Sequence, residues 1–151
     1  MNTPYPAPVA NFQRSDGSRV SLAELIGGKT LVLYFYPRDG TPGCTTEACS
    51  FRDQYEDFKS AGAEVVGVSS DDAASHEEFK GRFRLPFTLL TDEKGVAAKA
   101  MGVKKTLGLL PGRVTFIIDR AGNVVHRFDS QFNAARHVEE ALQIVKKLEA
   151  P

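Results

Sequence analysis

Leu31-Val32-Leu33-Tyr34-Phe35-Tyr36-Pro37-Arg38-Asp39-Gly40-Thr41-Pro42-Gly43-Cys44-Thr45-Thr46-Glu47-Ala48-Cys49 is the stretch on which the fold turns. Its first six residues are apolar at both odd and even positions. A strand with one wet face would alternate, so this pattern predicts a central strand covered on both sides. Pro37 lacks the N–H that a ladder needs and stops the strand. Thr41 followed by Pro42 is a helix-start pair, the first at the N-cap and the second at the first helical position. From Thr41 to Ser60 the spacing becomes helical. Cys44, Ala48, Phe51, Tyr55 and Phe58 form one stripe at i, i+4, i+7, i+11 and i+14, and the other face carries Glu47, Arg52, Asp53 and Glu56.

Outward from this unit the same patterns recur. On the N-terminal side, Asp16-Gly17 between short partly alternating stretches predicts a hairpin from about Phe12 to Leu22. Ser21-Leu22-Ala23-Glu24 fits a capping box, and Gly27-Gly28 ends that short helix. On the C-terminal side, Val65-Val66-Gly67-Val68 reads as a second buried strand. Ser70-Asp71-Asp72 caps a helix through Phe79 to about Phe83, and Phe87 to Leu90 is a third short strand. Val96 to Met101 is a short helix. Val114 to Asp119 and Val124 to Phe128, joined by Arg120-Ala121-Gly122-Asn123, form an antiparallel hairpin, and Ala134 to Leu148 is an amphipathic helix on Val138, Leu142, Val145 and Leu148. Strand–helix–strand, a further helix, then strand–strand–helix is the chain order of an α/β thioredoxin-like sandwich: a central mixed β-sheet flanked by helices, with an N-terminal β-hairpin.

The chain has 151 residues, 42% hydrophobic and 25% charged, with no repeat or low-complexity run, so a single domain over 1–151 is expected. Nineteen Lys and Arg balance nineteen Asp and Glu. No basic footprint for nucleic acid or an anionic membrane exists, and no apolar run approaches the roughly 20 residues that span a bilayer. Nothing in the N-terminal residues resembles an export signal, which gives a cytoplasmic expectation.

Two cysteines are too few for a disulfide scaffold, and His76, His126 and His137 are too scattered to complete a zinc cage. Each histidine reads as structural or solvated. Gly28-Lys29-Thr30 imitates the end of a phosphate-binding loop but precedes its strand instead of following one. Cys44 falls in the first turn of its helix, close to free backbone N–H groups and the positive end of the helix dipole. Such surroundings lower a cysteine from about 8.5 into the range ~3.5 to 7.5 and make a nucleophile. Cys49, five residues on, is turned about 140° away, and in a regular helix the two Cα atoms lie about 8 to 9 Å apart. A disulfide tolerates about 7 Å, so bonding them requires the helix to unwind. Two small buried hydrophobes are the competing reading.

At this turn the sequence resembles the peroxiredoxins, specifically the Q type, also called bacterioferritin comigratory proteins. The Pro-x-x-x-Thr-x-x-Cys motif stands as Pro37, Thr41 and Cys44, within the type's Thr-Pro-Gly-Cys-Thr run from Thr41 through Gly43 to Thr45. Ala7-Pro8, Ser75-His76 to Leu85-Pro86-Phe87, and Arg113-Val114-Thr115-Phe116-Ile117-Ile118-Asp119 continue the likeness. Met101 departs from it, since many relatives carry an aromatic there. The resemblance implies a thiol peroxidase in which Cys44 is the peroxidatic cysteine, Cys49 resolves it to an intramolecular disulfide, and Arg113 flanks the thiolate. Pro37, Thr41, Gly43 and Arg113 would bind a hydrogen peroxide or organic hydroperoxide substrate. Thioredoxin or a similar dithiol would be the partner, with no metal, flavin or haem, and the chain would act as a monomer. The alternative is a redox sensor or interaction module switched by the same disulfide.

Overall fold

The computed structural model describes residues 2–106, 110–130 and 133–149. In chain order the elements are β1 (Tyr5–Pro6), β2 (Asn11–Gln13), β3 (Arg19–Ser21), α1 (Leu22–Ile26), β4 (Thr30–Phe35), α2 (Pro42–Asp53), α3 (Tyr55–Ser60), β5 (Ala63–Ser69), α4 (Ala73–Phe83), β6 (Thr88–Thr91), α5 (Val96–Ala100), β7 (Lys105–Thr106), β8 (Leu110–Pro111), β9 (Val114–Ile118), β10 (Asn123–Asp129) and α6 (Ala134–Glu149). Eight strands form one mixed sheet in the order β1-β10-β9-β4-β5-β6-β2-β3, and β7 pairs with β8 separately. The strand β4 runs parallel to β5 and antiparallel to β9, in the middle of the sheet. Among the described residues no helix is long and apolar enough to cross a membrane.

The double-sided burial expected of β4 is what the structure has. Leu31, Leu33 and Phe35 enter one apolar cluster with α1, α5 and the N-terminal strands. Val32, Tyr34 and Tyr36 enter the other, with side chains of α2, α3, α4 and α6. The hairpin β2–β3 forms as read, with Phe12 opposite Val20, and the capping box at Ser21 and Glu24 is complete in both directions. Asp72 caps α4 through its side chain, which accepts the Ser75 N–H. In α6, Val138 and Val145 are buried whereas Leu148, at the far end of the stripe, is exposed.

One expected element is divided. The stripe from Cys44 to Phe58 predicts a single helix, but α2 ends at Asp53 and Gln54 has φ −101° and ψ 5°, outside helical geometry. The bend lets Phe58 reach Phe51 at 5.6 Å between ring centroids while the Tyr55 hydroxyl donates to Glu64 Oε1 at 2.7 Å. Tertiary partners thus outweigh the continuity of the stripe. At the core of this layer Tyr34 stacks on Phe51 with centroids 4.5 Å apart.

Gly67, in the middle of β5, faces that stack. A Cβ there would lie 2.8 Å from Tyr34 Cζ and 2.9 Å from Leu89 Cδ2. Gly67→Ala is expected to overpack the core and to destabilise the protein by about 1–3 kcal/mol. Equilibrium urea unfolding measures this, and an unchanged midpoint would mean that the layer has room that the packing denies.

Candidate active site

The turn between β4 and α2 delivers its residues to one point. Pro37 is buried at the end of the strand, and Thr41 takes the N-cap position with Pro42 at the first helical residue. Thr41 departs from expectation in one respect: its hydroxyl makes no capping bond to the helix and donates instead to the Arg38 carbonyl at 3.0 Å. The cap is therefore backbone geometry alone, with the Thr45 N–H on the Thr41 carbonyl at 2.8 Å. Cys44 falls in the first turn and is 1% exposed, and both cysteines are free thiols, Cys49 half-buried farther along α2.

Arg113 comes to Cys44 from the adjacent strand, one residue before β9. Its Nη2 donates to Cys44 Sγ at 3.5 Å and its Nη1 to Glu47 Oε1 at 2.6 Å, with all three groups buried. Two glycines make the approach possible. A Cβ on Gly43 would stand 2.9 Å from Arg113 Nη2, and one on Gly112 would stand 2.7 Å from the Lys104 carbonyl oxygen. Gly43 thus leaves the space the guanidinium occupies, and Gly112 lets the backbone that carries Arg113 lie against Lys104.

Glu47 corrects the sequence reading, which put it on the polar face of the helix. Its residue is completely buried and its Oε2 has no hydrogen-bond partner. Burial pushes its pKa up to about 8, although Arg113 opposes the shift through its charge and hydrogen bond. For Arg113, burial alone would lower the pKa, but Glu47 and Cys44 together hold it above its usual value, so it stays charged. The spacing could have revealed Glu47: it lies at i+3 from Cys44 and i−4 from Phe51, on the buried stripe.

Two histidines brace this centre. His137, on α6, has Nδ1 at 2.7 Å from Thr115 Oγ1 and at 3.6 Å from Glu47 Oε2, while Nε2 faces the Ser130 carbonyl at 2.7 Å. A carbonyl only accepts, so Nε2 carries the hydrogen. Burial lowers His137 to about 4, leaving it neutral at ordinary pH. His76, on α4, is equally buried, with Nδ1 2.7 Å from Asp39 Oδ2. His126 is half-buried and pairs with Glu140 at 2.7 Å. The donor atoms of Asp39, Asp71 and His76 come within 4.8 Å of one another. They are committed to internal bonds: Asp39 accepts from Tyr36 and Ser75, and Asp71 accepts from the Asp39 N–H and from Ser69.

A buried thiol at a helix start, with a guanidinium on the sulfur and an acid behind the guanidinium, is equipped to ionise the thiol and to polarise an oxygen bound beside it. The model of the AhpC/TSA family matches residues 4–127. Rice (Oryza sativa subsp. japonica) has a relative named peroxiredoxin Q, chloroplastic, that is 50% identical over 143 residues. The match covers 94% of this chain and 65% of the rice protein, so the chain spans just under two thirds of that relative's length. The solved structure of peroxidoxin BcpB from Mycobacterium tuberculosis superposes with a TM-score of 0.90 at 33% identity, covering 99% of each chain. The bacterioferritin comigratory protein of Xanthomonas campestris, described through trapped intermediate and ligand complexes in its alkyl peroxide reduction, gives 0.83 at 31% identity over 93% of this chain and 92% of that one. By sequence, by fold and by the turn that carries its buried thiol, this chain belongs to the AhpC/TSA family and, within it, to the Q-type peroxiredoxins.

Proposed function

We propose that the chain is a thiol peroxidase that reduces hydrogen peroxide and organic hydroperoxides, with Cys44 as the attacking sulfur, Cys49 as the resolving thiol and a thioredoxin-type dithiol as the reductant. The observation that carries this reading is the Arg113 guanidinium 3.5 Å from Cys44 Sγ, braced from behind by Glu47. The Cys44 thiolate attacks the terminal oxygen of R–O–OH, the O–O bond breaks, S–OH forms, and the departing alkoxide takes a proton to leave as R–OH. The N–H groups of Gly43 and Cys44, in the first turn of α2, have no intrahelical acceptors and are available to the peroxide oxygens. Thr41 spends its hydrogen on the Arg38 carbonyl and so offers lone pairs to the peroxide O–H. A shallow groove lined by Pro42, Gly43, Thr46, Ala134 and Arg136 lies alongside, with room for an organic tail. Cys49 S–H then condenses with the sulfenic acid, forming S–S and releasing water, and two thiol–disulfide exchanges with the external dithiol restore both thiols. Both thiols and the guanidinium come from one copy, so this cycle needs no second chain.

Electrostatics support the assignment. Burial pushes the Glu47 carboxyl up to about 8, so its negative charge is held less firmly than that of an exposed carboxylate and offsets less of the Arg113 charge at the sulfur.

Peroxide-dependent NADPH consumption with thioredoxin and its reductase should be sustained by the native protein and abolished in Cys44→Ser, because a serine hydroxyl is far too weak an acid to supply the nucleophile. A native protein that oxidises once and then stops would favour the sensor reading. Gly43→Ala should slow the peroxide step about tenfold or more, because the added methyl displaces the guanidinium from the sulfur. Stopped-flow single turnover measures that rate, and an unaffected rate would separate Arg113 placement from catalysis.

Stability should carry the mark of Glu47 as well. Its folded pKa is about 8 against an ordinary 4.5, so across that window the folded state binds more protons and stability falls as pH rises. His137, lowered to about 4 from 6.5, acts in the opposite sense, and its effect is complete by pH 6.5. The urea midpoint should therefore decline between about pH 6.5 and 8 in the native protein and stay flatter in Glu47→Gln. Parallel curves would make Glu47 an ordinary ionised partner of Arg113.

A further inference from the structure

The turn that presents Thr41 and Cys44 is tied to the body of the protein through one side chain, Asp39. Its Oδ1 accepts the Tyr36 hydroxyl at 2.5 Å, and its Oδ2 accepts Ser75 Oγ at 2.9 Å and stands 2.7 Å from His76 Nδ1. Its backbone N–H donates to Asp71 Oδ2 at 2.8 Å, and Asp71 is itself held by Ser69 Oγ at 2.6 Å. Asp39 and His76 side chains are 4% and 2% exposed, so these bonds are made out of reach of water. Four elements meet here: the ends of β4 and β5, the first turn of α4, and β6 through the Leu90 carbonyl, 3.0 Å from His76 Nε2.

The Leu90 carbonyl has no hydrogen to give, so His76 Nε2 must supply one. The only remaining site on the neutral ring is then the Nδ1 lone pair. Lone pairs on Nδ1 and on a carboxylate oxygen would repel at 2.7 Å, so a proton lies between them. The pair holds one shared hydrogen whichever atom owns it. Asp39 is two residues before Thr41 and five before Cys44, and among the described residues no other side chain in the turn from Arg38 to Gly43 is hydrogen-bonded to a distant element.

We infer that Asp39 and His76 are a proton-sharing pair of positioning residues, which fixes the turn carrying Thr41 and the first helical turn so that Cys44 meets Arg113 and the peroxide in register. This rests on Cys44 being the attacking sulfur. Neither residue touches the sulfur; both act through the backbone of the turn. A displacement near 1 Å at such a site is enough to lose about 100-fold in rate.

The shared hydrogen gives the test its form. In Asp39→Asn the amide N–H donates to the Nδ1 lone pair of neutral His76, the amide oxygen still accepts from Tyr36, and the second amide hydrogen can be donated to Ser75 Oγ, so the same partners stay bonded without a carboxylate. In Asp39→Ala they are lost. Single-turnover reduction of hydrogen peroxide by the reduced protein, followed with a urea midpoint for each variant, should show Asp39→Ala and His76→Phe slowed tenfold or more and Asp39→Asn restored to within about threefold of native. Reduction of the preformed Cys44–Cys49 disulfide by thioredoxin should be unchanged in all three, which a general loss of structure would not allow. If Asp39→Ala fails to fold, Ser75→Ala, which removes one bond, should slow the peroxide step by about two- to threefold with the fold intact. Native rates in Asp39→Ala and Ser75→Ala, or an Asp39→Asn as slow as Asp39→Ala, would overturn the inference. Cys44→Ser run alongside separates the two claims: a peroxide step surviving there would defeat the assignment of the nucleophile, whereas its loss there with a native rate in Asp39→Ala would defeat the pair alone.

Discussion

The contact of Arg113 with both Cys44 and Glu47 is the constraint around which the other features of the site are arranged. A guanidinium is charged at every relevant pH and its donors are fixed in a plane, so one ion can face a sulfur and a carboxyl group at once. Burying that ion requires partners for its hydrogens, and Glu47 provides one at 2.6 Å. Burying Glu47 in turn raises its pKa, which keeps the cluster from accumulating two negative charges against one positive. The glycines at 43 and 112, the capping residue that does not cap through its side chain, and the histidine behind Glu47 are all consequences of fitting this cluster between a helix start and a strand start.

The strand order explains why these groups can meet. Cys44 and Glu47 follow β4, and Arg113 precedes β9, which pairs antiparallel with β4. In an antiparallel pair the C-terminal end of one strand lies beside the N-terminal end of the other, so the residue after β4 and the residue before β9 share one edge of the sheet. Phe35 opposite Val114 puts the registers within a residue of the site. Sixty-nine positions of sequence separate Cys44 from Arg113, yet the pairing of two adjacent strands closes that distance.

How much of this could be read from the sequence follows the same division between local and distant causes. The double-sided strand, the capping box at Ser21, the Asp72 cap and the start of α2 are written in residues a few positions apart, and all stand where the pattern puts them. The placement of Cys44 in the first turn is equally local. Arg113 beside it came from family resemblance, since a strand-opening arginine by itself reads as solvated. Glu47 is legible in principle, from its i+3 position to Cys44, although an acid judged by type alone belongs to the wet face. His76, His137 and Asp39 are not legible: Leu90 and Asp39 stand 14 and 37 positions from His76, and Thr115 stands 22 from His137, on other elements where no periodicity reports them. The break at Gln54 belongs to the same class, for it is set by what Tyr55 and Phe58 reach across the core.

The geometry of the two free thiols also constrains any disulfide between them. Cys49 lies on α2 about 140° around from Cys44, with the Cα atoms about 8 to 9 Å apart if the helix is regular, so no disulfide closes while the helix is intact. The helix is held at both ends of this interval. Before it stands the Asp39 cluster; after it, Phe51 is fully buried and stacked on Tyr34, and Arg52 donates to the Phe83 carbonyl at 2.8 Å. Releasing Phe51 would expose a large aromatic ring, which is worth about 1.5–3 kcal/mol in burial alone, whereas residues 45, 46, 49 and 50 are half-buried or exposed and bury little. Within the same interval Glu47 and Ala48 are completely buried, so unwinding it also breaks the bond between Glu47 and Arg113. A Cys44–Cys49 disulfide therefore requires the short interval between them to give up helical geometry, and with it the Glu47 brace behind Arg113.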